Sequence, residues 1–145
     1  MNLSAHMLLS VEVAGAMYVV QREHIGAMRG IFRPADLEYP DEHGRPMLTR
    51  RLADLFALTD SAAPPPTRQH ALIVPTRRRS VALLVDRVDE LDLSGALINN
   101  IQPLPDVLAR RLGRPWFSGV LVWEEWCQLV LDLRRIAQDV LKLPA

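Results

Sequence analysis

The sequence is short of most of the residues that chemistry or covalent stapling would need. Its 145 residues include one cysteine, Cys127, so no disulfide forms within the chain and burial alone must hold it together. A lone thiol fits a reducing compartment, and with no histidine near it in sequence it reads as a buried structural cysteine rather than a nucleophile. The four histidines His6, His24, His43 and His70 are scattered, with no metal-ligand spacing. The seven glycines are dispersed, so no phosphate-cradling loop is present. Charge of one sign is missing too: 17 basic residues balance 17 acidic ones, which argues against a nucleic-acid binder driven by electrostatics. Long apolar runs are absent. Met7 to Val13 is broken by Glu12 and followed by Gly15, too short to span a membrane, and Met1 to His6 lacks the cationic start of a signal peptide. The expectation is a cytoplasmic protein with no direct membrane insertion, no metal, no cofactor, no catalytic residues and hence no enzymatic activity.

What is present is apolar residue in short, turn-punctuated pieces. Hydrophobic residues make up 49% of the chain and aromatics only 6%, so the interior is built of Leu, Val, Ala and Ile. Leu8–Val13 and Met17–Val20, joined through Ala14-Gly15-Ala16, predict a β-hairpin. A helical turn at Arg22–Ile25 and a strand at Ala27–Phe32 follow, then a proline-bearing loop from Pro34 to Pro46. Ala53–Phe56 reads as a short helix. Ser61 to Pro66, with three successive prolines, can neither pair in a sheet nor extend a helix and reads as a linker. Beyond it Ala71–Pro75 and Ser80–Val85 flank the basic turn Thr76–Arg79, a second hairpin. Val88, Leu91 and Leu93 alternate as a half-buried strand would. Pro105–Leu112 predicts a helix stopped at Gly113, and Phe117–Val122 with Gln128–Leu131 predict strands around Trp123–Trp126. Finally Leu133, Ile136, Ala137, Val140 and Leu141 fall at helical spacing behind Asp132, a plausible N-cap, giving a closing helix over 132–143. Eight to ten short strands without βαβ alternation predict an all-β barrel or sandwich. The hairpins at 8–20 and 71–85 hint at an internal duplication.

The order of these pieces resembles that of the CheW-like family. Val11–Val20 matches its opening hairpin, Ile25–Gly30 its turn and next strand, and Gly44–Leu48 with Leu52–Leu58 its Gly-Arg pair, strand and Leu-rich helix. Val81–Val88 looks like its central Val-Asp strand, Ile101–Pro105 its proline-rich loop, and Gly119-Val120 with Val130–Leu133 its closing strands and helix start. The resemblance runs from about residue 8 to 141 and lies in the ordered set rather than in one motif. It implies one domain of two antiparallel five-stranded barrel-like (SH3/OB-like) lobes, roughly 16–70 and 71–130 with exchanged terminal segments, packed on a shared core with a C-terminal α-helix. It also implies a non-catalytic adaptor in chemotaxis-type signal transduction, with a histidine kinase and a chemoreceptor's cytoplasmic tip as partners. The family's kinase-facing surface carries over to Ile25, Ala27 and Met28, as an apolar patch on the first lobe. Its receptor-docking region carries over to His43 and Gly44. There the sequence departs from the pattern, since Asp41-Glu42-His43-Gly44 replaces Asn-Leu-Arg-Gly, and a histidine lacks arginine's two-pronged donor geometry. Arg51, too, stands where the family has aspartate.

The remaining conspicuous residues carry blander readings beside their functional ones. Arg77-Arg78-Arg79 at a hairpin tip is usually a solvated turn, with a contact to an acidic partner as its functional reading. The alternative of another class, a small-barrel nucleic-acid binder, would use Arg77–Arg79 together with Arg110-Arg111 as phosphate contacts. Asp86 reads as a structural turn residue. Trp116, Trp123 and Trp126 read as plugs at barrel ends, with Trp116 or Trp123 as secondary docking candidates.

Overall fold

The computed structural model describes residues 7–33, 36, 40, 44–56, 68–91 and 98–142. Strands β1 (Leu8–Val13) and β2 (Ala16–Gln21) form the predicted hairpin, in register from Leu8↔Gln21 to Val13↔Ala16. Alternation along β1 sends Leu9, Val11 and Val13 to one face and Leu8 to the other, and both faces are covered. A 3₁₀ turn at Arg22–His24 leads into β3 (Ala27–Ile31). Next come β4 (Leu48–Arg51), the single helical turn α1 (Leu52–Leu55), β5 (Gln69–Val74) and β6 (Val81–Val85). The chain continues through β7 (Arg87–Glu90), a short 3₁₀ turn, β8 (Ile101–Gln102) and α2 (Asp106–Leu112). It closes with β9 (Phe117–Trp123), β10 (Trp126–Leu131) and α3 (Leu133–Lys142).

The signals at both later helix boundaries act as the sequence suggests. Gly113 ends α2 in the left-handed conformation, φ 73°, a position that costs glycine little. Asp132 caps α3: its carboxylate accepts from the Arg135 N–H at 3.1 Å and its carbonyl from the Ile136 N–H at 3.0 Å.

Two sheets result. One runs β7-β1-β2-β10-β9-β8, the other β3-β5-β6-β4. Among the described residues the expectation of two closed, five-stranded, wholly antiparallel lobes is therefore corrected to six strands and four, in sheets with open ends. Two of the neighbour pairs, β10 with β2 and β4 with β6, are parallel. The chain passes from the larger sheet to the smaller between β2 and β3, and it returns across a single residue. Val85 ends β6 in the smaller sheet, and after Asp86 the chain resumes as β7 against β1 in the larger. Asp86 holds this crossing, since its N–H donates to the Glu12 carbonyl at 2.9 Å and its carboxylate accepts from the Ala14 N–H at 2.9 Å. That bond also steadies Ala14 at φ 50°, a left-handed backbone uncommon outside glycine. The turn role read for Asp86 is thus what it performs.

One core lies between the two sheets and is closed by α3. Val11, Val13 and Val20 meet Leu72, Val81, Leu83 and Val85 there, under Leu133, Ile136, Ala137 and Val140. Trp116 is buried in the same cluster and its indole N–H donates to the Asp139 carboxylate at 2.8 Å, fastening α3 to the loop before β9. The three tryptophans do not share one role. Trp123 is half-buried and Trp126 is exposed at the β9–β10 hairpin tip. Cys127 departs from expectation, being exposed. It lies one residue beyond Trp126, opposite the exposed Val122, where the hairpin tip gives strand alternation nothing to bury it against.

Candidate protein-docking site

Among the described residues the smaller sheet ends at β3 and the larger at β7, with no further strand paired to either. Between them lies an open groove of about 590 Å³. Its floor is apolar: Leu9 and Ile25 are almost wholly covered, and Val88 is half-buried. Met28, 43% exposed, stands at the mouth. The rim carries both charges, Arg22 and Arg29 against Glu23 and Glu90, and His70 of β5 completes the wall. The 3₁₀ turn is braced by Arg22, whose guanidinium donates to the Ile25 carbonyl at 2.7 Å, so the floor residue is fixed from both sides of the turn.

His70 titrates below its ordinary range, chiefly because burial disfavours the charged ring and secondly through repulsion from Arg68, with Asp89 pulling the other way. At neutral pH it offers the groove a neutral ring. Neighbouring His24 is lowered for the same leading reason, burial, reinforced by Arg134 and opposed by Asp132 and Glu23. Its Nδ1 is buried without a hydrogen-bond partner among the described residues.

The positions singled out in the sequence fare differently. Ile25 and Met28 both line the groove, but only Met28 is presented; Ile25, 4% exposed, is floor. Ala27 is half-buried on β3. Gly44 is exposed in a left-handed turn beside the Pro40–Pro46 bridge and does not line the groove. His43 lies outside the described residues. Leu9, Arg22, His70, Val88 and Glu90 were not singled out, because they come from segments far apart in sequence. The one available signal was Val88, apolar among the acids of 86–92.

The two basic clusters of the nucleic-acid reading, Arg77–Arg79 and Arg110-Arg111, are not assembled into one groove. Arg110 and Arg111 sit exposed on α2, while Arg77 and Arg78 line a different groove together with α3. Among the described residues no group of three or more His, Cys, Asp or Glu side chains is placed to hold a metal ion, and no helix is long and apolar enough to cross a membrane.

Neither a protein-family model nor a curated protein matches this sequence. Its architecture is matched nonetheless: a mixed two-sheet β domain with a closing C-terminal helix, which is a divergent CheW-like fold. Among the solved structures that match is the crystal structure of the scaffolding protein TtCheW from Thermoanaerobacter tengcongensis. It aligns with a TM-score of 0.60 and 14% identity over 88% of this chain and 89% of that one. The likeness at this identity is one of fold.

Proposed function

We propose that the chain is a non-catalytic, cytoplasmic adaptor in chemotaxis-type signal transduction, working by docking other proteins. The observation that carries this reading is Met28, an exposed apolar side chain on an edge strand above a covered apolar floor. Such a site suits a protein partner in two ways. An apolar anchor over a desolvated floor is the usual centre of an interface, and a charged rim of both signs sets orientation and rejects mismatched partners. The edge of β3, unpaired among the described residues, also offers backbone groups for strand pairing.

The partner for this groove is the regulatory domain of a chemotaxis-type histidine kinase, and the CheW-like fold supports that choice. A chemoreceptor's cytoplasmic tip is the second partner, facing the His43–Gly44 segment. The reading treats the chain as one domain whose lobes, roughly 16–70 and 71–130, exchange segments, the sheet change at Asp86 being one such crossing. It needs no cofactor.

Amide hydrogen exchange with and without the isolated kinase regulatory domain tests it. Protection is expected over 22–31 and 87–90, with α2 unaffected. An unchanged exchange pattern at saturating kinase would refute the docking site.

A further inference from the structure

A second groove, about 790 Å³, runs between the β5–β6 turn and α3 and shares no lining residue with the first. One wall carries Arg77 and Arg78, the other Arg134 and Lys142; among the described residues no carboxylate lines it, and Pro75 and Leu141 supply apolar surface. The chain as a whole is neutral, so this is a local concentration of positive charge rather than a general basicity.

Both walls are built. Thr76 fixes the turn, its hydroxyl accepting from the N–H groups of Arg78 and Arg79 at 3.2 Å each and donating to the Arg79 carbonyl at 2.6 Å. Arg45 donates to the Arg78 carbonyl at 2.8 Å from outside. The backbone beneath the guanidiniums is thereby held while the side chains reach out. On α3, Arg134, Gln138 and Leu141 fall at i, i+4 and i+7, forming a stripe beside the buried one. Elsewhere on the same helix Arg135 is paired with Asp139 at 3.3 Å. Among the described residues no ion pair engages Arg77, Arg78, Arg134 or Lys142.

We propose that this groove docks a short acidic polypeptide segment carrying an apolar side chain between its carboxylates. Arg134 also donates to the Glu23 carbonyl at 3.5 Å, which leaves its charge unneutralised, and four cations lining one groove call by charge complementarity for an anionic partner. The span from Arg134 to Lys142 is about 12 Å of helix, the reach of roughly four extended residues. Polypeptide is favoured over nucleic acid on two counts. Among the described residues no aromatic side chain lines the groove to stack a base, whereas Pro75 and Leu141 suit an aliphatic one. The neutral chain also lacks the long-range field that gathers a polyanion.

The test uses a fluorescein-labelled peptide with a central leucine flanked by glutamates, titrated by anisotropy against the full chain. Saturable binding that weakens with added salt is expected, lost when glutamine replaces the glutamates. The double variant Arg77→Glu/Arg78→Glu on one wall, and Lys142→Glu on the other, should each weaken binding by about ten-fold or more. Their circular dichroism and melting should match the wild type, since all three side chains are exposed. Met28→Glu, in the first groove, should bind the peptide normally, so failure of the kinase site and failure of this one are separable. No binding, wild-type affinity in both wall variants, loss in Met28→Glu, or tighter binding of a single-stranded oligonucleotide of equal charge would each overturn the proposal.

Discussion

Ile25 and Met28 are three residues apart, line the same groove and would be substituted together in a blind scan, yet the structure predicts opposite outcomes for the same change to glutamate. Ile25 is 4% exposed and packs in the main core. Ile25→Glu forfeits the transfer energy of a buried aliphatic side chain, about 1.5–3 kcal/mol. It also forces a polar carboxyl into that place, about 1–3 kcal/mol more. A total of about 2.5–6 kcal/mol is a large part of the roughly 5–15 kcal/mol that holds a domain together. Met28 is 43% exposed, and a surface substitution there should move stability by no more than about 0.5 kcal/mol. Its effect belongs to binding: losing a central apolar anchor costs about 2 kcal/mol or more, close to a thirty-fold rise in Kd. Urea denaturation followed by tryptophan fluorescence, for which buried Trp116 supplies a signal, measures the first quantity. Titration calorimetry against the kinase regulatory domain measures the second. If Ile25→Glu unfolds at the wild-type midpoint, the floor is not where the structure puts it. If folded Met28→Glu binds the kinase as tightly as wild type, the groove is not the docking site.

Two further outcomes test the core and its electrostatics. Leu83 is fully buried between Leu72 and the parallel strand β4, so Leu83→Ala should cost about 2–5 kcal/mol in the same urea assay, and a near-neutral result would show that β6 is not central. His24 should make stability depend on pH. Burial, aided by Arg134, lowers its folded-state pKa below the ordinary 6.5, so the unfolded chain takes up the proton first as pH falls. Its contribution is complete above about pH 6.5 and declines as the pH drops toward the folded-state value. His70, lowered in the same direction, adds to the decline. His24→Phe should therefore lose less stability than wild type between neutral and mildly acidic pH; an unchanged slope would refute the assignment.

The sequence by itself determined the pieces. Hairpin 8–21, the 3₁₀ turn after it, the Gly113 stop, the Asp132 cap and the amphipathic closing helix are all decided by neighbours within a few residues, through turn conformations, caps and side-chain period. Their order also carried the likeness to the CheW-like fold. Tertiary structure decided which face each piece turns inward and what it meets. Periodicity marks Ile25 and Met28 alike as apolar, and only the strand's packing makes one floor and the other surface. Cys127 reads as core by its neighbours and is exposed because the hairpin tip it occupies runs beyond the covered part of the sheet. The return from the four-stranded sheet to the six-stranded one turns on Asp86, where two hydrogen bonds to the β1–β2 end hold the crossing. Both grooves join residues more than fifty positions apart in the chain, Met28 with Val88 and Arg77 with Arg134, and local pattern holds no record of pairings made by long-range closure.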